Sequence, residues 1–311
     1  MGVASRHTLA ATCSRELHTA HATVFCLGTT PGLPPADVWT DSTPAGLESS
    51  AAMRGRLYFW EDKVLYLGPG LAASVHAHHA VQVCISLSGP VRLRSSPRTR
   101  WRSYDGAVIA SDVPHESDTP LALLGTLWLD AETPAGRRLV GSRVPHAIRP
   151  IASSQLRMLV PRLRACWEDG FAGRQAASML DEVVRILAPC PEPSVPVDPR
   201  VARAHELLRS APMRRLAVAN LAATVGLSPS RLAHLLRPHL GLPIRRYLLW
   251  LRLRDALREM AHGATITEAA HAAGFADAPH LDRTFRRMLG FAPSAALGVS
   301  QFVQDSPTGR A

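Results

Sequence analysis

A chain of 311 residues, 46% of them apolar, can bury two separate cores and is too apolar to stay unfolded as a whole. Its net charge of +10 is unevenly placed: residues 200–297 hold 15 arginines against 6 acids, while residues 1–199 hold 19 basic and 18 acidic groups. A membrane span is argued against by the lack of any run near 18 apolar residues, and a disulfide framework or zinc finger by five cysteines (Cys13, Cys26, Cys84, Cys166, Cys190) without C-x-x-C spacing.

Residues 1–52 are dominated by Thr, Ser, Ala, Gly and Pro, hold no sustained period, and are expected to form a disordered extension, with Met53 an alternative start to Met1. Arg6, His7, Arg15, Glu16 and His18 interrupt any signal-peptide core, so a cytoplasmic location is expected. Residues 53–150 carry short β-type runs separated by Gly, Pro and Ser: 57–60, 64–67, 81–87, 91–93, 107–109 and 123–129. Such runs predict a compact β-barrel or sandwich. Residues 151–188 hold two amphipathic helices that pack on the β domain or against a second subunit. Ser154 is placed to cap the first, and Pro161 to bend it. Five prolines between Pro189 and Pro199 make 189–199 a semi-rigid linker. Residues 200–297 read as helical throughout, and 298–311 as a tail.

The helical segment contains one pattern twice. Leu221 to Ser228 precedes the amphipathic run Pro229–Leu240, and Ala269 to Ala276 precedes Pro279–Leu289. In each copy an alanine (Ala222, Ala270) stands four residues before a glycine (Gly226, Gly274). The small residue lets two helices cross closely, and the glycine permits the tight turn between them. Each copy closes on Gly241 or Gly290, where a helix C-terminus takes a left-handed residue. Two helix-turn-helix units in a strongly basic segment point to duplex DNA.

Residues 200–297 resemble the DNA-binding domain of the AraC family of bacterial transcription regulators. The resemblance covers both units, the linking helix Tyr247 to Arg258 and the run Thr284 to Pro293. The chain departs from the pattern at Pro238, expected to shorten the first recognition helix, at Asp277, Ala278 and Asp282, where polar or basic groups are usual, and at Ala296, where an aromatic is expected. Candidate DNA contacts are Ser228, Ser230, Arg231, His234 and Arg237 in the first unit and His280, Arg283, Arg286 and Arg287 in the second. Arg231 and His234 are the base-edge candidates, because arginine can pair bidentately with guanine. Arg286 and Arg287 are assigned to phosphates, which position without reading sequence. Trp250 and Leu253 on the linking helix are assigned to the core.

The β segment contains Gly70-x5-His76-x-His78-x3-Gln82-x6-Gly89, similar to the first cupin motif with glutamine in place of the usual metal-binding glutamate; Asp105-Gly106 and Pro114-His115 are similar to pieces of the second. This resemblance implies an effector-sensing domain with His76, His78, Gln82 and His115 lining its site. Two lesser alternatives are that the three histidines ligate a divalent metal, or that they are relics of an ancestral fold; no metal or other cofactor is assigned. His79 is expected to face solvent. Phe59, Trp101, Tyr104 and Trp128 either line a pocket or fill the core.

The expected fold class is α+β with two domains, a cupin-like β-barrel followed by helices and then an all-α double helix-turn-helix. The expected function is that of a sequence-specific transcription regulator, not an enzyme, responsive to a small molecule in the barrel. Its expected partners are double-stranded DNA, the effector, RNA polymerase and a second copy as homodimer, with no membrane. Two alternatives are a metal-dependent cupin enzyme fused to a DNA-binding domain, and a ligand-independent regulator whose barrel serves only for dimerisation.

Overall fold

The computed structural model describes residues 55–119, 122–140, 148–188, 197–209 and 217–303; the expected extension at 1–52 and the linker up to residue 196 lie outside them. In the N-terminal half, strands β1 (Gly55–Phe59), β2 (Lys63–Pro69), β3 (Ala73–His76), β4 (Ala80–Ser88), β5 (Val91–Arg94), β6 (Arg102–Tyr104), β7 (Gly106–Ile109), β8 (His115–Ser117) and β9 (Leu123–Asp130) are followed by helix α1 (Pro134–Val140) and strand β10 (Ile148–Pro150). They form two sheets, ordered β10-β7-β4-β9-β2-β1-β11 and β3-β8-β5-β6. Among the described residues the two sheets do not close on each other, so the expected cupin-like barrel is an open pair of sheets.

The strand β11 (Ser300–Val303) lies in the segment expected to be a tail. It runs parallel to β1, with Gly55 opposite Ser300 and Tyr58 opposite Val303. An exposed edge offers a row of unpaired backbone groups to any extended segment. Here β11 of the same chain takes them, and Phe302 stacks on Phe59 with ring centroids 5.9 Å apart.

Strand alternation decides which side chains meet which layer. On the large sheet Tyr58, Leu65, Leu67, Val81, Val83, Ile85, Leu127 and Leu129 share a core with the helices α2 (Ser153–Asp169) and α3 (Gly173–Leu187). Their alternates Phe59, Tyr66, Gln82, Cys84, Thr126 and Trp128 face the opposite side. The helix pair thus packs within its own chain, through Leu156, Leu159, Leu163, Met179, Leu180 and Val183. Ser154 lies inside the first turn of α2 rather than capping it; the N-cap is Ala152, without a side-chain cap bond. The helix runs on through Pro161.

The C-terminal half comprises α4 (Pro199–Arg209), α5 (Val218–Thr224), α6 (Pro229–Leu240), α7 (Ile244–Ala261), α8 (Ile266–Ala272), α9 (Ala278–Leu289) and α10 (Pro293–Val299). Both repeats fold alike. Ala222 and Ala270 are fully buried where the short helices cross, and the turns place Gly226 and Gly274 at φ 67° and 80°. The caps are chemically distinct. Ser228 Oγ accepts from the Arg231 amide at 3.2 Å, whereas Asp277 Oδ1 accepts from the His280 amide at 2.6 Å. Asp277 is thus a helix cap, which explains one departure from the family pattern. Contrary to expectation, Pro238 does not shorten α6, which continues to Leu240. Ala296 sits buried without the bulk of an aromatic.

Candidate functional site

A cavity lies between the two halves, partly open to solvent, with about 110 Å³ accessible to the centre of a water molecule. The sheets contribute Phe59, Tyr66, Leu93, Leu124 and Trp128; the helical half contributes Trp250, Leu257, Phe285, Leu289 and Phe291. Of the four aromatics singled out in the sequence, Phe59 and Trp128 line this cavity. Trp101 instead lies under Arg92 and Arg94, and Tyr104 packs on a separate cluster around Val91 and Ile109.

The structure brings His76, His78 and His115 together, all buried, each with one ring nitrogen within 4.8 Å of the others. Two paired strands place them: β3 and β8 set His76 opposite His115. Gln82 reaches in from β4, its Oε1 2.8 Å from His78 Nε2 and 3.2 Å from His115 Nε2. Trp128 Nε1 donates to the same oxygen at 3.1 Å. His76 and Gln82 both border the cavity. Burial lowers all three histidines from their usual range, His76 to about 4. The charge of a neighbouring imidazole adds to the lowering at His76 and His115.

His79, expected in solvent, is buried at 3% exposure and takes part in the contact between the halves. Its Nε2 donates to Glu132 Oε2 at 2.8 Å. Tyr247 on α7 donates its hydroxyl to Glu132 Oε1 at 2.6 Å, and His205 on α4 lies 3.4 Å from the same oxygen. Burial pushes the Glu132 carboxyl up. The hydrogen bonds from His205, His79 and Tyr247 outweigh this and hold it well below the usual carboxylate range. Burial likewise pushes the Tyr247 hydroxyl far up, so it stays a donor. One turn along α7, Trp250 Nε1 donates to Asp130 Oδ1 at 3.1 Å and Arg254 pairs with Asp130 Oδ2. Arg246 adds a contact to Asp112 at 2.7 Å. At the other end of the contact, the Ser74 amide and hydroxyl both donate to Gly290 O at 2.9 Å.

Sequence reading assigned Trp250 to the core, and it is buried, but its indole N–H serves the contact between the halves. Asp130, Glu132, Tyr247 and Arg254 were not singled out. A signal existed: Tyr247, Trp250 and Arg254 follow at i, i+3 and i+7, so a tyrosine, a tryptophan and an arginine share one face of a helix.

The candidate DNA contacts lie elsewhere. Ser228, Ser230, Arg231, His234 and Arg237 are exposed on or beside α6, with Leu232 and Leu236 fully buried behind them. On α9, Arg283, Arg286 and Arg287 are exposed. Arg286 pairs with Asp282 at 2.8 Å, and His280 is half-buried against Phe275. Among the described residues no helix is long and apolar enough to cross a membrane.

The fold and these surfaces define a two-domain protein: a sheet-rich half bearing a cavity, and a half built from two helix-turn-helix units. Residues 221–298 match the family model for a helix-turn-helix domain. A Streptomyces lividans protein named as an AraC-like transcription regulator is 36% identical over 97 residues, 31% of this chain and 32% of that protein. The match thus spans about a third of that relative's length. ToxT of Vibrio cholerae in its apo form superposes with a TM-score of 0.51 at 11% identity, covering 78% of this chain and 99% of the other. A crystal structure of ToxT with an unsaturated fatty acid bound matches with a TM-score of 0.46 at 11% identity, over 76% of this chain and 95% of the other. Residues 221–298 thus form a helix-turn-helix domain similar to that of an AraC-like regulator, and the two-domain fold is similar to that of ToxT.

Proposed function

We propose that this protein is a transcription regulator that binds duplex DNA through α6 and α9 and senses an apolar small molecule in the cavity. The observation that carries the proposal is the cavity's double wall. A molecule seated there touches the sheets and α7, α9 and the loop after α9 at once, so its affinity depends on how the halves are arranged. That differential affinity is what effector control requires. Arg231 and His234 are the base-reading residues of this proposal, with Ser228, Ser230 and Arg237 beside them; Arg283, Arg286, Arg287 and His280 hold the second segment. The linking helix α7 has 18 residues, about 27 Å at 1.5 Å per residue, which suits successive major grooves about 34 Å apart. RNA polymerase and a second copy of the chain are the protein partners of the same reading. No catalytic step is assigned, and the site of action is the cytoplasm.

Selection of bound duplexes from a random pool, followed by footprinting, tests the DNA part. Enriched sequences with two protected segments about 10 base pairs apart are expected; no enrichment refutes it. A thermal-shift screen of apolar small molecules tests the sensor. Thr126→Trp, which fills the cavity, should abolish any shift seen with the parent, and an undiminished shift in that variant rules the cavity out.

A further inference from the structure

Aromatic side chains surround the cavity from both halves. Phe59, Tyr66 and Trp128 face it from the sheets, and Trp250, Phe285 and Phe291 from the helical half. Six of its 24 lining residues are aromatic, in a chain that is 5% aromatic, so the rings are concentrated where the space is. They are also held in place. Trp128 Nε1 donates to Gln82 Oε1 at 3.1 Å, Trp250 Nε1 to Asp130 Oδ1 at 3.1 Å, and the Tyr66 hydroxyl to Pro69 O at 2.8 Å. Phe285 meets Phe291 edge-on, with centroids 5.7 Å apart. Side chains fixed before a ligand arrives lose little freedom on binding it. Each offset or edge contact between rings favours an aromatic ligand over an aliphatic one of equal area by roughly 2- to 12-fold.

The charge on the wall is already matched. At pH 8 an imidazole is neutral by its ordinary titration, which leaves Arg254 as the only charged side chain among the lining residues. Its guanidinium pairs with Asp130 Oδ2 and donates to the Glu61 carbonyl. A ligand carboxylate would have to draw Arg254 away from Asp130, stranding one buried anion to satisfy another. Both indole N–H donors are occupied as well. A ligand cation would meet Arg254 with no free anion beside it. The Thr119 hydroxyl is different: it lies on the wall, 3% exposed, without a hydrogen-bond partner. Buried polar atoms are rarely left so, and one neutral oxygen on a ligand would satisfy it.

We propose that the cavity takes an uncharged aromatic molecule of one or two fused rings bearing one neutral oxygen, and that it discriminates against carboxylates and aliphatic chains of the same size. The size follows from the space: about 110 Å³ is of the same order as the roughly 150 Å³ apolar cavity that takes up benzene. This reading rests on the sensing role proposed above and names the class of molecule sensed.

The test is isothermal titration calorimetry of the full chain at pH 8 with four probes: methyl naphthyl ketone, naphthoate, methyl decyl ketone and undecanoate. Within each pair a methyl group replaces a carboxylate oxygen; between pairs a chain replaces the rings. One naphthyl ketone per chain is expected, bound about 100-fold or more tighter than naphthoate, which buries an unmatched charge, and about 10-fold or more tighter than the decyl ketone, from rings on two walls. Phe291→Leu keeps apolar bulk and removes a ring, so the ratio of the two ketone affinities should fall by roughly 2- to 12-fold; a folding defect would move both ketones together. A carboxylate that binds as tightly as its ketone, a decyl ketone that binds as tightly as the naphthyl ketone, or an unchanged ratio in Phe291→Leu overturns this inference while the sensing role stands. If none of the four binds to protein whose circular dichroism is native, the sensing role and this inference fall together.

Discussion

Asp130→Ala isolates the polar contact between the halves. Asp130 and Arg254 are 2% and 6% exposed, and the carboxylate is the only anion paired with that guanidinium among the described contacts. Removing it leaves Arg254 with carbonyl acceptors at Glu61 and Trp60 but no counter-charge. Stranding one partner of a buried ion pair costs about 3–5 kcal/mol. At about 1.4 kcal/mol per decade, this lowers the ratio of docked to separated halves by roughly two to three and a half decades. The loss should appear as separation rather than global unfolding, because moving α7 away rehydrates Arg254. Adding Arg254→Met removes the stranded charge. The double variant should then retain only the cost of the unpartnered Trp250 N–H, about 1–3 kcal/mol. Hydrogen exchange at β3, β9 and α7 reads the docking, and urea unfolding reads global stability. If the double variant is as impaired as Asp130→Ala alone, the stranded charge is not the cause; if Asp130→Ala leaves exchange at these elements unchanged, the pair does not hold the halves together.

Glu132 gives the contact a pH dependence. A carboxyl held below its unfolded value adds stability that is present above that value and lost as pH falls beneath it, so docking should weaken from about pH 4.5 downward; exchange rates of parent and Glu132→Gln across pH 7 to 3 should show the slope only in the parent. Gly241 and Gly290 share nearly the same backbone, φ 78° and 81°, but a Cβ at Gly241 meets nothing within 4 Å while one at Gly290 comes 2.5 Å from Ser74 O and 2.6 Å from His76 Nδ1. Gly241→Ala should therefore cost only left-handed strain, about 1–2 kcal/mol, whereas Gly290→Ala should also speed exchange in β3; equal behaviour of the two would refute the contact. On DNA, Arg231→Ala should cost about 1–3 kcal/mol and relax specificity at one base pair, while Arg287→Ala should weaken all sequences alike and lower the salt slope by about one. Quantitative binding to selected and random duplexes decides this, and an equal loss on both for Arg231→Ala would remove base reading from α6.

The double helix-turn-helix was legible because its determinants are local. Ala222 and Gly226, Ala270 and Gly274, and the closing glycines act within a few residues of themselves, so their spacing survives in one dimension. The helix pair α2 and α3 was legible by the same rule. What escaped was set by distant partners. His79 sits in a polar stretch that reads as solvent-facing, and distant partners make its burial tolerable: Glu132, 53 residues on, and Ser111, 32 residues on. The segment Ser300–Val303 has no strand signature of its own; the open edge of β1 makes it one. The barrel was overstated because alternation reveals strands but not whether the last one meets the first. Pro238 was read by a rule for mid-helix prolines, yet α6 has only Leu240 left to form beyond His239.

The two recognition helices are mechanically unequal. No residue of α6 lines the cavity; it meets the sheet-rich half through His239, 3.4 Å from Arg137 on α1, and its C-terminal glycine stands clear of other groups. The helix α9 is in the opposite position. Phe285 and Leu289, one turn apart on its inner face, are part of the cavity wall, and its closing carbonyl is held by Ser74. Arg283, Arg286 and Arg287 stand on the outer face of the same helix. A packed helix moves as a body, because its interior neighbours tolerate discrete rearrangements rather than continuous deformation. In the proposed regulator, a molecule that presses on Phe285 and Leu289 must therefore displace the arginines of the second unit, while α6 keeps its geometry. Effector control then falls on the second DNA segment, and the first unit serves as an anchor whose sequence preference is the same with and without ligand.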